Sequence, residues 1–328
     1  MLRAALLALS GDAPIGRHLR RWAEHSGWGR RLSGRFVAGL TLGDALAAVQ
    51  QLNRQGLAAS LDPLGEHVAT RAAAAQAAEQ AIAILDAIAA VRADATLSLK
   101  LSQLGLDVNS HGHDVDRDLA AAHLRRVLAA AARQGNVVCV DMEGSDYTAA
   151  TLALVEQLHA EGLPVSTVVQ AALRRTPADL ERLLSQRIGV RLVKGAYREP
   201  AERAWQRKAA VDECYLRLMR RVLEAAPGLA AAPPGMTMGA ATGVAIATHD
   251  ERLIRAAVAY ARQRGLAPAA FEFQLLYGIR RDLQRQLQAE GWRVRIYVPF
   301  GPAWYPYLMR RLAERPANLL FLLRNLGN

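Results

Sequence analysis

The feature of this sequence that most limits its fold is a regular alternation of apolar runs with helical segments. Runs of strand length, rich in aliphatic residues, occur at 56–61, 96–101, 137–142, 164–169, 190–193, 243–247, 271–275 and 294–298. Segments with helical period follow them, at 68–91, 117–133, 147–160, 178–186, 202–224, 251–264, 280–289 and 303–314. Apolar strands separated by helices predict a parallel sheet covered on both faces, and eight such units predict a closed (β/α)8 barrel of the TIM type.

A doubly wound open sheet is the alternative fold. No Gly-x-Gly-x-x-Gly motif follows a predicted strand and opens a helix, so the sequence does not favour a Rossmann domain. The chain has 328 residues and 52% hydrophobic content, enough for one large core. We therefore predict an N-terminal helical extension, residues 1–55, and a barrel domain, residues 56–328.

The net charge of +11 suits acidic ligands, nucleic acid or an anionic membrane surface, and it does not choose among them. Residues 16–40 are rich in arginine, with Trp22, Trp28 and Phe36 interleaved. This stretch is compatible with binding to nucleic acid or acidic lipid. Amphipathic helices over a core are favoured, because the basic residues are not continuous.

Signals for secretion or for a membrane span are weak. The N-terminus lacks a long apolar segment with a clear cleavage site, and the charge-poor stretch 225–248 is broken by prolines and glycines. We expect a cytoplasmic protein that is soluble or peripheral to the membrane. Cys139 and Cys214 are predicted to be buried and reduced, and we expect no metal site because no CxxC pattern exists.

Almost every predicted strand ends in a polar or ionisable side chain. The residues concerned are Asp62, Glu66, Lys100, Asp141, Glu143, Gln170, Lys194, Tyr197, Thr248, His249, Gln274 and Tyr277. Each alone has an ordinary structural explanation, such as a helix cap or a lysine that reaches the solvent. A complete ring is hard to explain by packing, and chemistry in TIM barrels occurs at the carboxyl ends of the strands.

The last predicted helix, which Pro316 ends and which follows a strand broken at Pro299, carries two adjacent arginines. Arg310 and Arg311 are adjacent, and Glu314 follows them by four and three residues. The three side chains therefore lie on one side of the helix. Two arginines can hold a carboxylate by paired hydrogen bonds, and a glutamate at i+4 can orient one of them.

Two kinds of chemistry remain open at this point. Lys100 and Lys194 at strand ends are compatible with a Schiff-base aldolase, which needs one desolvated lysine as nucleophile. Together with the arginines, they equally suit capture of a carboxylate beside a large anionic cofactor. Arg191 is predicted inside the barrel, where it needs a partner, and the edge of a flavin ring is one such partner.

Several motifs resemble those of the flavin-dependent proline dehydrogenases. The long ones are RLVKGAY from Arg191, IATHD from Ile246, FEFQLLYGIR from Phe271 and YVPFGPAWYPYLMRRLAERPAN from Tyr297; the short ones are LDPLGE from Leu61, SLKLSQLG from Ser98, CVDMEGS from Cys139 and STVVQA from Ser166. The resemblance covers about residues 56–322. It implies a distorted (β/α)8 barrel that binds FAD non-covalently. It also implies oxidation of L-proline to Δ1-pyrroline-5-carboxylate by hydride transfer to FAD N5, and reoxidation by a membrane quinone.

The resemblance implies roles at the substrate site. Arg310 and Arg311 bind the proline carboxylate, with Lys100 as a third cation. The supporting residues are Asp141 and Glu314, which hold the cationic cluster, Glu66, which pairs with Arg310 to close the site, Tyr277, which packs beside the substrate, and Leu192 and Tyr197, which line the pocket.

The resemblance also implies cofactor contacts. Arg191 lies near flavin N5 and Gln170 near the edge of the isoalloxazine ring. The remaining FAD-binding residues are Val193, Lys194, Gly195, Ala196, Lys208, Thr248, His249 and Gln274. Arg198 departs from the pattern, because some relatives carry a tryptophan there that stacks on the flavin.

Partners follow from the same resemblance. Quinone use implies transient contact with the inner face of the membrane, through the basic N-terminal helices or the apolar residues 319–323. No aldehyde dehydrogenase domain follows the barrel, so a separate pyrroline-5-carboxylate dehydrogenase is expected, and no nucleic acid.

Overall fold

A computed structural model describes residues 34–108, 116–229 and 243–314 of the chain, with side chains up to Met309. Three predictions lie outside that part. They concern the basic stretch before residue 34, the apolar residues 319–323, and the side chains of Arg310, Arg311 and Glu314. The proposed division at residue 55 stays a prediction.

Eight parallel strands within the described residues form a closed barrel. They are β1 (Ala58–Pro63), β2 (Ala95–Leu99), β3 (Val138–Val140), β4 (Val165–Gln170), β5 (Gly189–Val193), β6 (Val244–Ala247), β7 (Glu272–Leu276) and β8 (Val294–Phe300). Each strand pairs with its sequence neighbours, and β8 pairs with β1 from Ala58 opposite Arg295 to Pro63 opposite Phe300. The predicted (β/α)8 barrel is confirmed, and the pairing of β8 with β1 excludes the open sheet.

Helices surround this barrel. They are α1 (Leu42–Arg54), α2 (Arg71–Ala90), α3 (Arg117–Arg133), α4 (Ser145–Ala160), α5 (Thr176–Ser185), α6 (Lys208–Leu229), α7 (Glu251–Gln263), α8 (Arg281–Ala289) and α9 (Trp304–Glu314). A short 3₁₀ helix, Leu101–Leu104, follows β2. α1 precedes the barrel and is capped by Thr41, whose side chain accepts from the Asp44 N–H in a capping box.

The predicted start of α6 at residue 202 is wrong, because the helix begins at Lys208. The residues before it, 199–207, form a strap that hydrogen-bonds elsewhere. The Trp205 N–H donates to the Ala172 carbonyl at 2.8 Å, and Leu173 and Ala204 form an antiparallel bridge. The Glu199 carboxylate accepts the Ser145 N–H at 2.8 Å and so caps α4. The N-cap residue of this helix, Gly144, has no side chain that could do so. These tertiary partners replace the helical hydrogen bonds that the sequence pattern predicts.

Pro299 does not end β8, in contrast to the prediction, since the strand continues to Phe300. The reason is the length of the neighbouring strand. The last β7 residue, Leu276, lies opposite Tyr297, so no β7 residue stands opposite Pro299 to accept an N–H. A proline is tolerated in a strand where no ladder hydrogen bond is required of it.

The two faces of the strands differ sharply in polarity. The outward residues, such as Leu61, Leu97 and Ile296, are fully buried against the helices in one large apolar core. The inward residues of most TIM barrels are branched aliphatics. Here the Ser60 hydroxyl lies 2.9 Å from the Ser98 hydroxyl, and the interior also contains Arg295. Small inward side chains therefore leave room for long charged ones.

A segment before α1, residues 35–39, runs along the carboxyl end of the barrel; we call it the clasp. The Ala38 N–H donates to the Pro299 carbonyl at 2.9 Å, and the Gly301 N–H donates to the Gly39 carbonyl at 3.0 Å. The clasp also approaches the turn after β7. A Cβ on Gly278 would lie 1.6 Å from the Arg35 carbonyl oxygen, and Gly278 has φ +74°.

We expect Gly278→Ala to lower the free energy of unfolding by about 3 kcal/mol or more, because strain at positive φ adds to a collision with the Arg35 backbone. Chemical denaturation of the purified protein measures it. Gly162→Ala is the matched control, since Gly162 has φ +80° but no heavy atom within 4 Å of the added Cβ. The control should lose only about 1 kcal/mol. Equal losses in both variants would show that the clasp does not press on this turn.

Candidate active site

Lys100 lies at the centre of three carboxylates at the mouth of the barrel. Its Nζ is 3.3 Å from Asp62 Oδ1, 3.6 Å from Glu66 Oε1 and 3.6 Å from Asp141 Oδ2. These residues follow or end the first three strands, so barrel closure brings them together. Burial alone would lower the pKa of Lys100, but the carboxylates outweigh this effect and raise it. The lysine is therefore a buried, permanent cation.

Asp62 has an unusual carboxyl group, being only 1% exposed. Burial raises its pKa to about 6, and the neighbouring Asp141 and Glu66 carboxylates act in the same direction, while Lys100 opposes them. The hydroxyl of Tyr297 donates to Asp141 Oδ2 at 2.5 Å. The carboxylates of this cluster are thus crowded enough for one of them to take up a proton near neutral pH.

Arg191 extends into the barrel from β5, as predicted, and protein groups bind its guanidinium. Nη1 donates to Asp141 Oδ1, Nη2 donates to the Ser98 hydroxyl at 2.9 Å, and Nε donates to Gln274 Oε1. Burial alone would lower the pKa of Arg191, yet its neighbours, led by Cys139 and Asp141, raise it. A second buried cation therefore stands below the Lys100 cluster.

A further ion pair lies deeper in the interior, between Glu272 of β7 and Arg295 of β8. Arg295 Nε donates to Glu272 Oε1 at 2.7 Å, and Gln274 Nε2 donates to the same oxygen at 2.6 Å. Burial alone would raise the pKa of Glu272, but Arg295 lowers it overall. Gln274 thus connects this pair to Arg191 through its carboxamide, which can donate at one end and accept at the other.

A second charged group lies at the ends of β5 and β6. Lys194 Nζ donates to Asp212 Oδ1 at 2.7 Å and to Asp250 Oδ2 at 2.9 Å, and Lys208 contacts the same two carboxylates. Burial would raise the pKa of Asp250, but the Lys194 hydrogen bond and charge lower it to about 2. The Thr248 hydroxyl accepts the Asp250 N–H at 3.1 Å. Burial would likewise raise the pKa of Asp212, but the hydrogen bonds from Lys194 and Lys208 lower it, so both carboxylates of this group favour the ionised form.

Several predicted residues between these two groups form the rim. Gln170 Nε2 donates to the Glu143 carbonyl at 2.9 Å. Gly195 is exposed with φ +109°, and a Cβ there would lie 3.1 Å from Gln170 Oε1 and from the Ala172 Cβ. His249 Nε2 accepts the Leu276 N–H at 3.0 Å, which places any proton of the neutral ring on Nδ1. Glycine at position 195 therefore keeps the backbone open at the rim.

Glu143 and three other predicted residues occupy the surroundings. Burial raises the pKa of Glu143, whose carboxylate accepts the Ser102 hydroxyl at 2.6 Å. Tyr197 is 41% exposed and its phenol contributes to the raised pKa of Lys100. Val193 is partly buried at the end of β5, whereas Ala196 is exposed.

Leu192 does not line the mouth of the barrel, whereas the position of Tyr277 beside the substrate stays a prediction. Leu192 follows the inward-facing Arg191 in β5, so it points outward, and it is fully buried in the core between sheet and helices. Tyr277 is partly buried against the core, with the Arg281 guanidinium 5.9 Å from its ring. For Leu192 the strand alternation decides, and the pocket-lining role is corrected.

Sequence reasoning missed several interior residues of this site. They are Ser98, Asp212, Asp250, Glu272, Arg295 and Tyr297, and Asp62 was noted only as a strand end. One signal was available for the β7 and β8 members. Glu272 and Gln274 alternate with apolar residues, as do Arg295 and Tyr297, and polar residues at period two in a barrel strand indicate a polar interior.

The aldolase alternative loses its support. A Schiff-base lysine must be neutral to attack a carbonyl, which requires a lowered pKa. Lys100 has a raised pKa, and Lys194 is held by two carboxylates. The described residues also contain no group of three or more His, Cys, Asp and Glu side chains able to hold a metal ion.

The described charges at the mouth of the barrel are not sufficient to bind a carboxylate ligand. Around Lys100 and Arg191 stand the carboxylates of Asp62, Glu66 and Asp141. These described groups alone do not favour an anion, since three carboxylates face two cations. A carboxylate ligand needs additional cations, and α9, which carries Arg310 and Arg311 in its backbone range, begins directly after β8.

We expect Asp62→Asn to change how stability depends on pH. Because the pKa of Asp62 is raised, its carboxyl binds a proton more tightly in the folded protein than in the unfolded chain. The free energy of unfolding therefore falls as the pH rises from about 4 to about 6 and the folded protein must give up this proton. At about pH 4 Asp62 and its Asn replacement are both neutral. The variant should therefore gain about 2 kcal/mol relative to the original protein between about pH 4 and pH 7. Denaturant unfolding at several pH values measures this difference, and a difference independent of pH would contradict the assignment.

Comparison with known proteins identifies the family. The family model for proline dehydrogenase matches residues 45–324. The proline dehydrogenase of Deinococcus radiodurans is 40% identical over 299 residues, covering 90% of each chain. Proline dehydrogenase 1 of Bacillus subtilis subsp. natto is 36% identical over 326 residues, covering 99% of each chain.

A solved structure supports the fold. Proline utilization A (PutA) from Bdellovibrio bacteriovorus, inactivated by N-propargylglycine, superposes with a TM-score of 0.80 at 23% identity. The match covers 96% of this chain and 36% of that one. The resemblance predicted from the motifs is thereby confirmed, and the chain belongs to the proline dehydrogenase family.

Proposed function

We propose that this protein oxidises L-proline to Δ1-pyrroline-5-carboxylate with FAD as its cofactor and a membrane quinone as the final electron acceptor. The observation that carries the proposal is the pair of buried cations, Lys100 and Arg191, at the carboxyl mouth of a barrel from the proline dehydrogenase family. Titratable groups with strongly shifted pKa values cluster at functional sites, so the buried charges at this mouth support a ligand site there.

The residues of the mouth fit FAD. Arg191 offers a fixed cation inside the barrel, where an electron-rich ring needs one. Gly195 leaves space for close approach to the backbone, because a Cβ there would crowd Gln170. Lys194 and Lys208 provide positive charge for phosphates at the ends of β5 and α6, held in place by Asp212 and Asp250. The further contacts we propose are Val193, Ala196, Gln170, Thr248, His249 and Gln274.

The substrate carboxylate is proposed to bind Lys100 together with Arg310 and Arg311 of α9. Glu66 and Asp141 stand beside Lys100, so they hold the cations apart and limit their mobility. Glu314 lies one turn after Arg310 and is proposed to orient it. Tyr277 and Tyr197 are proposed to border the substrate ring, and Tyr197 is near enough to affect Lys100.

Catalysis then rests on positioning and charge. When bound, FAD would supply the two-electron acceptor for the hydride that leaves proline C5. The cations fix the carboxylate end of proline, which orients its ring at the mouth of the barrel. Arg191 is buried and provides a preorganised positive charge, and charge interactions at a buried position are stronger than in bulk solvent.

Electron delivery to a quinone requires contact with a membrane. No helix in the described ranges 34–108, 116–229 and 243–314 combines the length and apolar character needed to span a bilayer. We propose peripheral association with the inner face of the membrane. The product needs a second oxidation to reach a carboxylic acid, and we propose that a separate pyrroline-5-carboxylate dehydrogenase supplies it.

The first experiment is the visible absorbance spectrum of the purified protein under anaerobic conditions. We expect the bands of oxidised flavin, their loss on addition of L-proline, and their return when a water-soluble quinone analogue is added. D-proline is the matched control and should leave the spectrum unchanged. A colourless protein that added FAD does not reconstitute, or a yellow one that proline does not bleach, would contradict the proposed function.

We expect Arg310→Met and Arg311→Met each to raise the proline KM about tenfold to a hundredfold, since one charge-assisted hydrogen bond contributes ~1.5–3 kcal/mol. Steady-state kinetics with the quinone analogue measure this. Arg285→Met is the control, because Arg285 is an exposed residue of α8. An unchanged KM in both α9 variants would remove these arginines from the substrate site.

A further inference from the structure

The helix α9 is packed differently from the other described helices. Its apolar residues do not join the large core between sheet and helices. They form a separate cluster instead, whose buried members are Phe36, Val37, Trp304, Tyr305, Tyr307, Leu308 and Met309. Two of these residues come from the clasp and the rest from α9. The clasp therefore covers an apolar face that the barrel wall leaves uncovered.

The clasp is anchored on both sides of the turn that starts α9. Pro299 stands before this turn, and its carbonyl accepts the Ala38 N–H at 2.9 Å. Gly301 stands within it, and its N–H donates to the Gly39 carbonyl at 3.0 Å. Neither group has a β7 partner, because β7 ends at Leu276 opposite Tyr297. These two hydrogen bonds fix the direction in which α9 leaves the barrel.

The clasp also touches the other element that borders the proposed substrate. The Arg35 carbonyl lies against Gly278, the residue after Tyr277, at a distance that admits no Cβ. Ile279 of the same turn packs against the cluster of Phe36 and α9. One short segment thus contacts both the turn of Tyr277 and the helix of the two arginines.

Small rotations of α9 have large effects at its arginines. Arg311 lies six residues after Tyr305, which is about 9 Å along the helix axis. A tilt of about 10° at Tyr305 therefore moves Arg311 by about 1.5 Å, which is enough to lengthen a hydrogen bond to a carboxylate beyond its normal range.

We propose that the clasp, through Phe36 and Val37, is the positioning element for substrate binding: it holds α9 so that its arginines reach the proline carboxylate. Phe36 is 5% exposed and Val37 is 2% exposed, so both side chains are buried in the cluster with α9. The family match begins at residue 45, so the clasp lies before it. This inference rests on the proposed function.

The test is steady-state kinetics of the FAD-loaded full chain with Phe36→Ala and Phe36→Leu. Phe36→Ala should raise the proline KM at least tenfold, because removing the ring loosens α9. Its kcat at saturating proline should change less than threefold, and so should the dissociation constant of FAD, since Phe36 packs in the cluster of α9 and not against the proposed FAD residues of β4, β5 and β6. Phe36→Leu keeps most of the apolar volume and should stay within threefold of the original KM.

Leu85→Ala is the matched control for stability. Leu85 is fully buried in α2 and belongs to the main core, away from α9. We expect a lower melting temperature but an unchanged KM. A rise in KM equal to that of Phe36→Ala would show that any loss of packing weakens proline binding, which would overturn the proposal.

If Phe36→Ala fails to fold, Val37→Ala tests the same contact with a smaller change. It removes two methyl groups from the same contact and should raise KM about threefold while the protein stays folded. An unchanged KM in Val37→Ala and in folded Phe36→Ala would overturn the positioning role. Failure of the proposed function is distinguishable, because then the original protein itself would show no reduction of its flavin by proline.

Discussion

The architecture depends on a set of charges that are buried together inside the barrel. A single unpaired ion in a protein interior costs several kcal/mol, so each buried charge requires its partners at short distance. Lys100, at the end of β2, has carboxylate partners at the ends of β1 and β3. Arg191, in β5, has hydrogen-bond partners from β2, β3 and β7. Correct pairing is therefore possible only when all these strands close in register.

Buried ion pairs contribute little to stability compared with apolar packing, so their abundance here indicates function. The apolar core lies outside the sheet, between strands and helices, and it carries the stability of the fold. Because the apolar core lies outside the sheet, the barrel interior does not have to be filled with apolar side chains. Small residues such as Ser60 and Ser98 then give the long side chains of Arg191 and Arg295 space and hydrogen-bond partners.

The mouth and the interior are linked by hydrogen-bond direction. A guanidinium only donates and a carboxylate only accepts, so a side chain that bridges an arginine and a glutamate must accept at one end and donate at the other, as a carboxamide does. Gln274 fills that position between Glu272 and Arg191. The helix α9 stands apart from this network, since its apolar face rests on the clasp. The helix α9 and the buried ion network are thus separately supported parts of one barrel.

Local patterns in the sequence determined the number, order and type of the elements. Strand and helix periods depend on neighbouring residues alone, so the eight repeating units and their polar ends were predictable, as was the family from its motifs. The tertiary structure was required for the partners of Arg191, for the strap that moves the start of α6 to Lys208, and for the continuation of β8 through Pro299. Each of these depends on groups distant in sequence, whose approach is decided only when the barrel closes.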